Sequence, residues 1–454
     1  MTDTRTTLQA VIDQTVSADL NPLRNFLFSN PSEPLIATGS GGAETSGEFA
    51  ALLYGACGGV ATSVTPYTFN SYSDEALKTA KILLVSKGGH NNDIVFATKR
   101  ALAVNPGRTA AVNFSDSDRN EARKVFQKAG SDKCFVIPMK DVHDGFVSTG
   151  TSLSYFAIFT KIFQPDVDLE KYRTIPENPF TLCRNDGTPL TAADFSPVRS
   201  YIILQGSWGR PVANNLEGKL VECGLASAGV YDYRNYCHGR FIFTSNHLED
   251  SVVILLVSPR ERDIVKRTRD FLPMATRLVI IETEHDAPEA SLDLLIRSTE
   301  FYHEICSACG VDPESPKNPG RIDKRKPIWV PFMAELKKQG PLTLADIMKS
   351  PVIEGTDECP WCRAIMRDAA ELLPDDVLDG MGAKLYVADW DLDRISLTKE
   401  PTVDDDDCFD NYSIRTWNIS RKGVIDWTLF KTVTNPDGSA HGEELCSGST
   451  DCTK

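Results

Sequence analysis

The sequence predicts an α/β chain: two tandem three-layer αβα domains with parallel sheets, followed by a small Cys-containing α+β extension. Three observations predict this. Short apolar runs alternate with segments of helical period between Pro34 and Met139, the same alternation restarts near Ser200, and the pattern changes again beyond "DPESPKNPGRIDKRKP".

In the first pass, "PLIATG", "VATSVTPY", "KILLVS", "RTAAVNF" and "KCFVIP" read as strands. The segments "ETSGEFAALLYGACG", "NDIVFATKRALAV" and "SDRNEARKVFQKAG" read as the helices between them. This gives a first domain over residues 1–165. Residues 166–198 are rich in Pro, Asp and Asn and read as a linker crossing the surface. The second domain, 199–335, repeats the scheme with "YIILQG", "AGVYDY", "VVILLVS" and "RLVIIET", divided by "PVANNLEGKLVECGL" and "PRERDIVKRTRDFL". The chain therefore reads as a duplication. In the extension, 336–432, "CPWCRAIMRDAAELL" has helical period, while "AKLYVADWD" and "YSIRTWNISRKGVIDWTLFKTV" alternate like strands. Residues 433–454 are too polar to pack and read as a mobile tail.

Length and charge narrow the function classes. A chain of 454 residues has room for two or three domains, and its 41% apolar and 24% charged residues are those of a globular protein. The net charge of −15 opposes an electrostatic grip on nucleic acid or an anionic membrane, so neither is expected as a partner. No apolar run approaches the roughly 20 residues needed to cross a bilayer. The start "MTDTRTTLQAVIDQ" lacks the segments of a signal peptide, and a cytoplasmic location is expected. In that compartment the twelve cysteines are expected as thiols or metal ligands, not disulfides.

Ligands in parallel α/β sheets collect at the carboxyl ends of strands, where free N–H groups and helix N-termini favour anions. Three turns have that placement. The first, "ATGSGGAETSGEF", contributes Gly39, Ser40, Gly41 and Gly42. The second, "VSKGGHNND", contributes Ser86, Lys87, Gly88, His90 and Asn91. The third, "DGFVSTGTS", contributes Ser148 and Thr149 ahead of an apolar helix. None fits G-x-x-x-x-G-K-[ST], and each has a plain structural alternative: a chain connection for the glycine turns, helix capping for Ser148 and Thr149.

Taken together these turns resemble the sugar isomerase (SIS) fold, specifically the paired SIS domains of the isomerase half of glucosamine-6-phosphate synthase and of fructosamine deglycases. The resemblance covers roughly residues 20–330. "VSKGGHNND" resembles that family's Ser-x-Ser-Gly-Glu-Thr-x-Asp phosphate loop, and "GFVSTGTS" is similar to its "VASTK" turn. "NNLEGKLVECG" followed by "YDYRNYCHGR" resembles the second-domain pattern in which a lysine, a glutamate and a His-Gly follow in order, here Lys219, Glu222, His238 and Gly239. The 16-residue interval from Glu222 to His238 matches the family's. "GVDPESPKNPGR" is similar to the terminal segment that closes over the sugar.

There are departures as well. Gly88, His90 and Asn91 replace a serine, a glutamate and a threonine of the phosphate loop, and Ala43 stands where a serine is expected. Losing these hydroxyls weakens a phosphate cradle, although Lys87, Asn91 and Asn92 offer donors. Arg321 occupies the place of the lysine that reacts with the open-chain carbonyl, and an arginine cannot form a Schiff base. Lys324 and Lys326 are nearby substitutes. Without an N-terminal cysteine-led glutaminase domain, the full amidotransferase reaction is not expected.

The resemblance implies aldose–ketose chemistry with Glu222 as the base, His238 opening the ring and Lys219 orienting hydroxyls. A carboxylate shielded from water suits the first role, and imidazole exchanges protons near neutral pH. The bland alternatives are a Glu222–Lys219 salt bridge on one helix face and a structural histidine. The resemblance also implies a homodimer whose histidine reaches across the interface, and a small sugar phosphate or related anion as ligand.

Two C-x-x-C units, Cys306/Cys309 and Cys359/Cys362, suit a structural zinc site, since each pair spans one edge of a tetrahedron. Redox thiols and ordinary packing cysteines are the alternatives. No organic cofactor is expected. The leading reading is a sugar-phosphate or sugar-derivative isomerase or deglycase. The alternative is a non-catalytic sensor of such ligands, with a partner-binding C-terminal domain.

Overall fold

The computed structural model describes residues 4–317, apart from 143, 196 and 197, together with the backbone of strands between 385 and 451. Helices α1 (Thr4–Ser17) and α2 (Asn21–Phe28) lead into β1 (Leu35–Gly39), α3 (Gly42–Ala56), β2 (Ala61–Val64), α4 (Pro66–Asn70), α5 (Asp74–Thr79) and β3 (Lys81–Val85). Then follow α6 (Asn92–Val104), β4 (Thr109–Asn113), α7 (Glu121–Lys128), β5 (Cys134–Val136) and α8 (Gly150–Phe163). The strands form one parallel sheet in the order β2-β1-β3-β4-β5. Every residue of β1, β3 and β4 is buried, because helices cover both faces, and this is why these strands appear in the sequence as unbroken apolar runs. The chain leaves β1 towards β2 and returns on its other side as β3. Strand order therefore reverses at β1/β3, and a crevice opens above that point.

The second domain comprises β6 (Thr181–Arg184), β7 (Ser200–Gln205), α9 (Arg210–Glu222), β8 (Ser227–Asp232), α10 (Tyr233–Asn235), α11 (Phe241–Asn246), β9 (Ser251–Val257), α12 (Arg262–Phe271), β10 (Arg277–Glu282) and α13 (Glu289–Ala308). Its sheet runs β6-β10-β9-β7-β8 and is parallel except for β6, which lies antiparallel on β10. Residues 166–198 are thus more than a surface linker. They supply an edge strand and bury Tyr172 and Phe195, although their Pro, Asp and Asn punctuation hides a strand of four residues. The two domains share one apolar core, running from Leu8 and Phe156 to Leu216 and Phe301, with the Phe49 and Phe156 rings stacked at 4.4 Å.

The C-terminal unit is an antiparallel meander of β11 (Leu385–Asp391), β12 (Arg394–Lys399), β13 (Ser413–Ser420), β14 (Val424–Thr434) and β15 (Ala440–Asp451). The stretch expected to be a mobile polar tail is largely β15, paired along β14. Backbone hydrogen bonding in a ladder does not require apolar side chains, so composition alone misses it. The expected helix "CPWCRAIMRDAAELL" lies outside the described residues.

Candidate functional site

The first glycine turn is shaped by two constraints. A Cβ on Gly39 would lie 2.5 Å from the Ala43 carbonyl oxygen, so only glycine lets the strand end turn so closely into α3. Gly41 sits at φ 58°, the left-handed region that favours glycine. The turn opens on a cavity of about 200 Å³ lined by Ser40, Gly41, Glu44, Thr65, Pro66, Tyr67, Asp93 and Phe96. The cavity lies at the carboxyl ends of β1, β2 and β3, with Thr65 capping α4 through the Thr68 N–H at 3.2 Å. The Ser40 hydroxyl oxygen is buried with no hydrogen-bond partner, and so is that of Thr38 just before the turn. Glu44 stands in the first turn of α3, where burial and then the Glu48 carboxylate push its carboxyl above the ordinary glutamate value.

The second turn is held by its own groups. The Ser86 hydroxyl accepts the Gly89 N–H at 3.2 Å, and the Asn91 side chain caps α6 by accepting the Asp93 N–H at 2.8 Å. Lys87 donates to Asp144 at 2.8 Å. Asp144 in turn accepts the backbone N–H groups of Thr149, Gly150 and Thr151 at 3.0, 2.6 and 3.2 Å, and the Thr151 hydroxyl at 2.5 Å. Burial pushes the Asp144 carboxyl upward, but the Lys87 ammonium and the Thr151 hydrogen bonds outweigh it and hold the group below the ordinary aspartate value. The third turn is capped, but by Asp144 and not by Ser148 or Thr149. Ser148 lies against Gly42, whose added Cβ would meet it at 3.4 Å, so the first and third turns are neighbours.

Helix α9 brings the second domain to this region along one polar edge. Arg210 and Asn214 both reach Glu48 at 2.7 Å, and Asn215 donates to Thr45 at 3.2 Å and to Ser152 at 3.1 Å. One turn further on, Lys219 is only 4% exposed, its ammonium donating to Thr299 at 3.3 Å and lying 5.7 Å from the Tyr302 ring centre. Burial drives its pKa down to about 8, against the opposing pull of Asp144, Glu222 and Cys223. His303, hydrogen-bonded to Thr4 at 2.8 Å, is pushed down to about 4 by burial and by Lys219.

No protein-family model and no curated protein matches the sequence. Among solved structures, tagatose-6-phosphate ketose/aldose isomerase from Escherichia coli is similar with a TM-score of 0.55 and 18% identity, over 70% of this chain and 96% of that one. The chain has the double-SIS fold. The C-terminal domain of glucosamine-fructose-6-phosphate aminotransferase from Francisella tularensis is also similar at 12% identity, over 67% of this chain and 94% of that one, with a TM-score of 0.48. So is glucosamine-6-phosphate deaminase from Thermotoga maritima, at 14% identity over 69% and 98%, with a TM-score of 0.48. At 18% identity the likeness to the first of these shows the fold alone, and the chemistry has to be argued from the residues.

In the double-SIS chain, Ser40 and Gly41 line the cavity, with Gly39 and Gly42 shaping the turn beside it. Ser86, Lys87 and Asn91 instead hold loops together, and the His90 ring packs where a Cβ of Gly88 would be. Glu222 ends α9 exposed, close enough to weigh on the Lys219 charge, so Lys219 is the buried member of that pair and is no surface partner. His238 is exposed in an irregular turn that Gly239 permits at φ 97°. Among the described residues, no hydrogen bond or ion pair joins Glu222 to His238 within one chain. Arg321, Lys324, Lys326, Cys359 and Cys362 lie outside the described residues.

The first C-x-x-C unit lies at the end of α13. Cys306 is fully buried on α13, its thiol hydrogen-bonded to Cys223, which meets the Tyr302 hydroxyl at 2.8 Å. Those contacts and burial push the Cys306 thiol above the ordinary cysteine value. Cys309 follows the last turn of α13, its N–H donating to the Ile305 carbonyl at 2.9 Å, and is half-buried against the shared apolar core. Helical spacing explains the pattern: residues three apart share a helix face, and here that face packs inward. Cys359 and Cys362, the other pair of the expected zinc set, lie outside the described residues. Among the described residues, no group of three or more His, Cys, Asp or Glu is placed to hold a metal ion, and no helix is long and apolar enough to cross a membrane.

Sequence reasoning missed Glu44, Thr65, Tyr67 and Phe96 in the cavity, and Asp144 and His303 beside Lys219. Only the acidic first turn of α3 offers a signal in the sequence.

Proposed function

We propose that this chain is a sugar-derivative isomerase or deglycase. It holds an open-chain sugar in the cavity beneath the turn at residues 39–41, with Glu222 moving the proton between neighbouring carbons. The observation that supports it is that cavity, with the orphaned Ser40 hydroxyl, at the point of a parallel sheet where strand order reverses. His238 serves as the ring-opening group of a second copy's site, which suits its exposure on its own chain. The site would then be complete only in a homodimer. Lys219, buried behind Glu222 and donating to Thr299, acts by keeping positive charge near that carboxylate.

The test is solvent-proton exchange at the carbon beside the carbonyl, followed by NMR in deuterated water with a panel of aldoses, ketoses and their amine and phosphate derivatives. Glu222→Gln is expected to slow exchange by about 10²-fold or more while leaving ligand Kd nearly unchanged. Undiminished exchange removes Glu222 from the mechanism. A second reading, a sensor without turnover, is favoured by one observation: Ser86, Lys87 and Asn91 are engaged within the protein. Ligand binding with no exchange in the wild type selects that reading.

A further inference from the structure

Three helix N-termini face the crevice at the carboxyl end of the first sheet, and each already has a carboxylate of this chain. Glu44 lies in the first turn of α3, Asp93 in the first turn of α6, and Asp144 accepts the leading N–H groups of α8. A helix N-terminus attracts one anion, and a second must enter against the first. Lys87, the cation of the three turns, is engaged with Asp144. The cavity lining contains two carboxylates, from Glu44 and Asp93, and no lysine, arginine or histidine.

A phosphate dianion brought here would sit beside like charge with no cation among the lining residues, and like charges at such range repel strongly in a partly dry site. A protonated amine meets the opposite field. Glu48, the neighbour that disfavours charge on Glu44, is itself held by Arg210 and Asn214, whereas Glu44 lines the cavity beside Asp93. The Ser40 hydroxyl, which lines the cavity and has no hydrogen-bond partner, supplies a neutral contact of the kind a sugar hydroxyl makes.

We infer that the ligand of this cavity is an unphosphorylated sugar bearing a protonated amine, its ammonium beside Glu44 and a hydroxyl on Ser40. The inference rests on the sugar-binding reading given above and narrows it to one chemical class.

The probes are D-glucosamine, D-glucose and D-glucosamine 6-phosphate, titrated calorimetrically into the full chain at low ionic strength. Glucosamine is expected to bind on the order of tenfold tighter than glucose and tighter still than its 6-phosphate. Glu44→Gln is expected to bring glucosamine down to the affinity of glucose. Tighter binding of the 6-phosphate overturns the inference while leaving sugar binding intact. An amine preference that survives in Glu44→Gln overturns the role of Glu44. No binding of any of the three removes the sugar-binding reading itself, and this inference with it.

Discussion

Lys87 and Asp144 meet at 2.8 Å, joining the loop after β3 to the N-terminus of α8. Through this pair, two turns that resemble a phosphate cradle satisfy one another. The Asp144 side chain is 5% exposed and that of Lys87 47%, so the carboxylate is the structural member and the ammonium its partly wet counter-ion.

Removing the carboxylate leaves the leading N–H groups of α8 without their cap. Asp144→Ala is expected to lower the unfolding free energy by about 1–3 kcal/mol in urea melts. Lys87→Met is expected to cost less than about 1 kcal/mol, because the lysine is half exposed. The folded pKa of Asp144 is depressed, so its contribution is present above the unfolded value near 4 and is lost as pH falls through the folded value. The stability gap between wild type and Asp144→Ala should therefore close in acid. A gap that persists below about pH 3 would contradict this.

Lys219 works in the opposite sense. Its folded pKa of about 8 lies below the ordinary lysine value of 10.5, so the unfolded chain holds the proton more tightly between those limits. Charge on Lys219 thus opposes folding at neutral pH, and the penalty lifts as pH rises from about 8 towards 10.5. Lys219→Met is expected to be neutral or stabilising at pH 7, and to remove the gain that the wild type shows between about pH 8 and 10. Chemical denaturation of both proteins across that range checks it.

Gly39→Ala places a methyl group against the Ala43 carbonyl, a backbone atom that cannot swing aside. The variant is expected to lose more than about 1 kcal/mol of stability and to lose ligand affinity along with it. Gly107→Ala, where an added Cβ meets nothing within 4 Å, is the matched control. Equal behaviour of the two would show that the turn does not need its glycine.

If the site is shared between copies, two inactive variants repair one another. Mixed after unfolding and refolding together, Glu222→Gln and His238→Ala should regain about a quarter of wild-type activity, since half the dimers are hybrids with one intact site. No recovery would confine both residues to one chain, or remove one of them from the reaction.

Sequence reading was strongest where burial is two-sided. β1, β3 and β4 are wholly buried and stand out as apolar runs, and the glycine turns follow from where those runs stop. It was weakest where backbone makes the contact. β6 is four residues in a polar stretch, and β15 is held by its ladder to β14, so neither has a hydrophobic signature. Asp144 is invisible as a cap because it lies several residues ahead of its helix and reaches the N–H groups through a turn. The spacing of Cys306 and Cys309 is ambiguous for a different reason, because an inward helix face and a metal-binding pair share the same interval. Glu44 reads in sequence as ordinary charge at a helix start. Only the structure places it at a cavity.

The continuous hydrocarbon interior joining the duplicated halves has a consequence for how the protein melts. With Leu216, Leu220 and Phe301 packed into the same cluster as Phe156 and Phe159, neither half can open without wetting the other. Residues 4–317 should therefore unfold in a single cooperative step. A small molecule seated at the first sheet alone would then delay the collapse of both halves.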